Sequence, residues 1–210
     1  MKACKARLVA IAAVAALGLL APSLTHANVK IGLDEVTLGG AKYTHDNGTK
    51  YSSAKDLVGT QLAVEYLPTE FFGIEVDYGL TPLSRTYQLG PTGSVSNNVT
   101  ESAAFVLYGV NLYFGREDRR GFHPELGVST GSATVSQKFE GGTLGTKSTN
   151  NTVNLNVLKA GLDWMTTYAG LRVQYQVWTG EKSNSTLLTG VRQTVSYTGS
   201  AVVIGVFANF

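Results

Sequence analysis

Residues 58–80 read VGTQLAVEYLPTEFFGIEVDYGL. Val58, Thr60, Leu62, Val64 and Tyr66 alternate with Gly59, Gln61, Ala63 and Glu65. Pro68–Glu70 interrupts the pattern. It resumes with Phe72, Ile74, Val76, Tyr78 and Leu80 set against Gly73, Glu75, Asp77 and Gly79. Successive side chains of a strand point to opposite faces, so a period of two predicts strands with one apolar and one polar face. The short interruption makes this pair an antiparallel hairpin.

The same alternation recurs along the chain. It is seen in Asn28–Thr44, Ala103–Gly115, Val153–Trp164, Ala169–Trp178 and Thr194–Phe210, and more weakly in Phe122–Val135. Eight strands are predicted. In the first, the apolar side changes near Asp34-Glu35, which reads as a β-bulge. The connections alternate in length. Pro68–Glu70, Arg116–Gly121 and Met165–Thr167 are short. His45–Ser53, Gln88–Thr100, Glu140–Asn151 and Gly180–Gly190 are long and rich in Gly, Ser, Thr and Asn. Four N-x-[ST] sequons, at Asn47, Asn98, Asn150 and Asn184, fall in these predicted loops and follow from their composition.

The start of the chain is read separately. Lys2, Lys5 and Arg7 precede the apolar run Leu8–Leu20, and small residues end it at Ala27. This is the pattern of a secretory signal peptide over residues 1–27, followed by one domain over 28–210. Cleavage there removes three of the 17 basic residues and none of the 15 acids, leaving a net charge of −1. The basic balance of the full chain therefore gives no argument for nucleic acid. The single cysteine, Cys4, is removed as well, so no disulfide, thiol nucleophile or thiolate metal site is expected.

Which face looks inward decides the class. Glu65, Glu75, Asp77, Lys159, Asp163 and Arg172 sit mid-strand on the faces that also carry glycine and glutamine, whereas the opposite faces are apolar. Apolar-out and polar-in is the transmembrane barrel arrangement, the reverse of a lipocalin-like soluble barrel. Aromatics gather beside the short turns: Tyr66, Phe71, Phe72, Phe114, Phe122, Trp164, Tyr168 and Phe210. They form one predicted interfacial girdle. Tyr43, Tyr51, Tyr87, Phe139, Trp178 and Tyr197 are assigned to a second one. The last strand keeps its alternation through Val202, Ile204, Val206, Ala208 and Phe210. A barrel in lipid must close so that no sheet edge is left unpaired.

On these features the chain resembles the small eight-stranded barrels of the OmpA transmembrane-domain type, the opacity-like outer-membrane proteins. The resemblance implies an all-β, eight-stranded antiparallel up-and-down transmembrane β-barrel in the outer membrane of a Gram-negative bacterium; as a departure from OmpA itself, no periplasmic peptidoglycan-binding domain is expected after Phe210. It implies that Val202, Ile204, Val206, Ala208 and Phe210 form a C-terminal signal for the barrel-assembly machinery. The expected partners are outer-membrane lipids, lipopolysaccharide and extracellular ligands met through the loops, with no nucleic acid.

Three functions follow as expectations. The leading one is a structural or surface-interaction barrel whose inward charges plug the lumen. The second is a narrow pore, either gated by exchange of salt-bridge partners or an OmpW-like channel for small solutes. The remote third is a lipid A-modifying enzyme using His45, Asp46 and a loop serine. His45 and His123 are the histidines left after cleavage, and no catalytic site, metal or cofactor is expected.

Overall fold

The computed structural model describes residues 29–39, 42–45, 50–52, 56–89, 97–114, 120–140, 147–186 and 192–210. The predicted signal peptide lies outside these residues. Within them the strands are β1 (Val29–Gly39), β2 (Lys42–His45), β3 (Lys50–Ser52), β4 (Leu57–Tyr66), β5 (Phe72–Leu89) and β6 (Asn97–Tyr113). The second half contributes β7 (Gly121–Glu140), β8 (Lys147–Met165), β9 (Ala169–Thr179), β10 (Glu181–Thr186), β11 (Arg192–Ser196) and β12 (Gly199–Asn209).

Eight strands close an antiparallel barrel in the order β1-β12-β9-β8-β7-β6-β5-β4. The closure joins the two ends of the fold: Val29 and Phe210 exchange backbone hydrogen bonds of 2.8 and 3.2 Å. The sequence after β1, β9 and before β4, β12 forms a second, four-stranded sheet in the order β10-β11-β2-β3.

Several expectations are corrected. β1 carries no bulge: its register is unbroken from Lys30↔Asn209 to Gly39↔Ser200. The irregularity lies in β5, where five steps from Tyr78 to Leu83 oppose three on β6, from Val106 to Ala103. The predicted long loops are partly strand. β5 runs to Leu89, β6 starts at Asn97, β7 runs to Glu140 and β8 starts at Lys147. Asn98, Asn150 and Asn184 therefore lie in β6, β8 and β10, and Asn47 lies outside the described residues. Trp178 and Tyr197, assigned above to the second girdle, are fully buried inside. The side chains of Tyr43, Tyr51, Tyr87 and Phe139 lie outside the description. Of the first girdle, Tyr66, Phe71, Phe114, Phe122, Trp164 and Tyr168 are exposed outside the barrel near the short turns.

One rule organises the wall. In β8, Trp164, Leu162 and Leu158 face out, and Asp163 and Lys159 face in. Past Leu158 the faces exchange character: Asn156, Asn154 and Thr152 face out, and Val157, Leu155 and Val153 face in. The period of two is never broken; only the chemistry of each face changes. The same exchange falls between Glu35 (out) and Val36 (in) in β1, at Thr130 in β7 and at Trp178 (in) and Thr179 (out) in β9. The barrel is thus apolar outside and polar inside over the half near the short turns. Over the other half it is polar outside and apolar inside. That second half has the polarity of a soluble β-protein.

Candidate functional site

The inward charges lie in the polar half and form one network. Lys159 Nζ, from β8, donates to Glu75 Oε2 and Asp77 Oδ2 of β5, both at 2.6 Å. Arg172, from β9, bonds Glu75 Oε1 at 2.6 Å, Asp163 Oδ1 at 3.2 Å and Glu65 Oε2 at 3.3 Å. Thus Glu65, Glu75, Asp77, Lys159, Asp163 and Arg172, which sit on four different strands, converge in the lumen. All are essentially inaccessible to solvent.

The sequence reading missed further members of the network. Lys30 of β1 pairs with Glu65 Oε2 at 2.5 Å and Asp163 Oδ2 at 2.7 Å. It also lies 4.6 Å from the centroid of the Tyr113 ring and 5.0 Å from that of Phe207. Tyr113 OH donates to Glu65 at 2.6 Å, and Asn111 Nδ2 donates to Glu65 and Glu75 at 2.9 and 3.0 Å. Asp34 accepts from Gln61 at 3.0 Å, and Glu125 accepts from Gln174 at 2.5 Å. Lys30 and Asp34 share the inward parity of Gly32, a signal that the bulge reading obscured. Glu125 lies next to Pro124 in the strand whose alternation is weakest.

Glycine makes room for these groups. A Cβ on Gly73 would overlap Glu65 Oε1, and one on Gly161 would lie 2.7 Å from Glu125 Oε1 and from Gln174 Cγ. Eight strands leave a lumen just wide enough for side chains, so long charged residues need short neighbours.

Above the charges the lumen is filled mainly by buried apolar side chains. Three inward residues of β9 lead upward by hydrogen bonds, from Gln174 to Gln176 (2.9 Å) and on to Trp178 Nε1 (2.8 Å). Trp178 meets Phe105 edge-on, with centroids 5.3 Å apart and an interplanar angle of 81°. Around them pack Val36, Leu107, Leu155, Val157 and Val203, all buried. Glu101 lies beyond this layer and accepts from Tyr197 OH. The interior is therefore filled by two stacked plugs, one ionic and one apolar.

The remaining candidates are placed as follows. His123 is buried on the inward face of β7, in register with Asp163. His45 lies in β2 with its side chain outside the description, and Asp46 lies outside it altogether. Among the described residues no three His, Cys, Asp or Glu side chains form a group suited to a metal ion. In β12, Val202 and Ile204 are exposed, Val206 is half-buried and Ala208 is buried, and Phe210, just after the strand, is half-buried.

No protein-family model matches the chain, and no curated protein matches it. Solved structures do. The outer membrane protein OprG of Pseudomonas aeruginosa aligns over 88% of this chain and 96% of its own, with a TM-score of 0.64 at 15% identity. Ail, the attachment invasion locus protein of Yersinia pestis, solved with the heparin analogue sucrose octasulfate, aligns over 87% and 98% with a TM-score of 0.52 at 15% identity. Neisserial surface protein A aligns over 87% and 97% with a TM-score of 0.50 at 14% identity. The fold is that of the small eight-stranded outer-membrane barrels. An outer-membrane-type barrel accounts for the unusual exterior here, where Phe122 is 67% and Leu158 60% exposed amid a continuous apolar belt. A soluble monomer rarely leaves so large an apolar surface uncovered.

Proposed function

We propose that the chain is a non-enzymatic, integral outer-membrane barrel with a sealed lumen, acting through the polar extension that rises above its lipid-facing belt. In this reading the short turns and the ends of β1 and β12 face the periplasm, and the sheet formed by β2, β3, β10 and β11 faces outward. Lipids and lipopolysaccharide surround the belt, and the alternating residues of β12 are read by the assembly machinery. The observation that carries the proposal is the exchange of polarity on several strands, in register across β7, β8 and β9 at Thr130↔Asn156↔Thr179. It supports a lipid-facing lower half and a water-facing upper half, with the interior occupied throughout by side chains.

The test is single-channel conductance in a planar bilayer, with Arg172→Ala beside the parent protein. Silence in both is expected, because the apolar layer around Phe105 and Trp178 stays in place when Arg172 is removed. Discrete openings in the parent protein would overturn the sealed lumen and make the gated pore the leading function.

One observation favours a second reading, an OmpW-like channel for small solutes. The β8–β9 ladder ends at Asn156↔Thr179 and the β4–β5 ladder at Val58↔Ser84, although β8 and β5 continue beyond them. Among the described residues the paired wall thus ends on two sides just above the belt, although β10 still packs against β8 beyond β9. A path at these two places would appear as uptake of a small apolar dye into vesicles by an electrically silent barrel.

A further inference from the structure

The ionic plug does not balance. Among its described members are six carboxylates, Asp34, Glu65, Glu75, Asp77, Glu125 and Asp163, against three permanent cations, Lys30, Lys159 and Arg172. The imbalance has a pattern. Glu65, Glu75 and Asp163 have both oxygens engaged, and each is bonded by two of the three cations. Asp34, Asp77 and Glu125 each engage one oxygen and leave the other, Oδ1, Oδ1 and Oε2, buried without a hydrogen-bond partner. The excess of three negative charges thus coincides with three orphaned carboxylate oxygens. Two amide oxygens in the same network, Gln61 Oε1 and Asn111 Oδ1, also lack donors. The network is short of hydrogens at five acceptors.

An isolated ionised carboxylate in a dry interior is far more costly than a neutral one. Charge balance is restored if each orphaned oxygen carries a proton, which turns an unmet acceptor of an ion into the donor group of a neutral acid. We infer that the lumen is a proton-binding site holding three protons, one each on Asp34, Asp77 and Glu125. In that state the plug is electrically neutral. Release of the protons leaves three negative charges in excess of the cations inside the barrel and loosens the plug. The inference rests on the sealed-lumen reading only in requiring a dry network, and its test counts protons rather than current, so the two can fail separately.

The groups facing the three acids are Lys30, Glu65, Glu75, Tyr113, His123, Lys159, Asp163 and Arg172, together with one another. Of these, His123 is the group whose ordinary range lies nearest to neutrality, and the triple variant keeps it, so comparing parent and triple variant cancels its contribution over a series from about pH 5 to 9.

The experiment is infrared spectroscopy of the membrane-assembled barrel, extracted in detergent, at about pH 7, where ordinary surface carboxylates are ionised. A protonated-carboxyl C=O band should be present, should shift in D2O, and should lose about one third of its area in each of Asp34→Asn, Asp77→Asn and Glu125→Gln. These isosteric replacements copy the neutral acid, so the barrel should still assemble. Absence of the band, or a band that survives all three substitutions, overturns the inference. A second readout uses unfolding. A folded state that holds extra protons loses stability as pH rises, by a factor of about ten in the folding equilibrium per pH unit and per proton. The triple variant should be nearly flat over the range in which the parent protein falls. Equal slopes overturn the inference, as does a stability set by sodium or potassium concentration instead of pH, which would mean that metal cations supply the missing charge.

Discussion

Arg172 shows why position matters more than the number of ion pairs. Its guanidinium contacts carboxylates from β4, β5 and β8, and only 2% of its side chain is exposed. Replacing it with methionine keeps most of its volume but leaves Glu75 Oε1 and Asp163 Oδ1 without their cation, whereas Glu65 keeps Lys30. Breaking a buried pair in this way costs about 3–5 kcal/mol. Lys138 and Glu140 also pair at 2.5 Å, but both are more than half exposed. Lys138→Met should therefore cost less than about 1 kcal/mol. Equilibrium urea unfolding in detergent compares the two, and similar losses would mean that the lumen is wet. Residue by residue, the site was legible wherever parity was clear. Glu75 and Asp77 share a face in an unmistakable alternation, and so do Lys159 and Asp163. Lys30 and Asp34 were hidden by one mistaken phase. The pairing of partners was invisible, because it depends on how eight strands stagger as they close.

At the scale of the strand, the exchange of faces explains both what the sequence disclosed and what it hid. An eye trained on one apolar stripe reads the change at Asp34-Glu35 as an extra residue, since both events move the hydrophobic set to the opposite face. Beyond the exchange, the outward Thr, Ser and Asn residues of β6, β7 and β8 look like loop composition. The predicted loops therefore swallowed the upper strands, and β7 seemed weak. The upper strand continues because its inward residues, such as Val135, Val153 and Leu155, have an apolar core to join. The exchange can be tested on one face of one strand. Leu162 and Asn154 both point outward from β8, on opposite sides of the boundary. Leu162→Arg places a charge in the belt and should cost about 2–4 kcal/mol in lipid vesicles. Asn154→Arg should stay within about 0.5 kcal/mol, as ordinary surface changes do. Equal costs would show that no water–lipid boundary lies between them.

For the whole molecule, closure, strand order and the eight-strand count were all legible, because alternation and the alternating connection lengths already imply an up-and-down barrel. The separate β10-β11-β2-β3 sheet was not, because its short polar strands carry little hydrophobic pattern. Nor was the stacking of two plugs, which emerges only when inward residues are sorted by height. That stacking makes a specific demand on transport. An ion crossing the barrel must displace the charged network and then pass a dry layer around Phe105 and Trp178, so the two barriers act in series. Removing one leaves the other to set the current. Trp178→Ala and Arg172→Ala should each remain silent in a planar bilayer, whereas the double variant should conduct. Each substitution costs stability, about 3–5 kcal/mol for a buried tryptophan. Assembly of every variant is therefore checked by its protease-resistant fragment before the current is read. Conduction in Trp178→Ala alone would mean that the ionic network already passes ions and that the apolar layer is the true gate. Silence in an assembled double variant would mean that the side chains collapse to refill the lumen, as a tightly packed small barrel can do. The conductances of the three variants together thus separate one barrier from two.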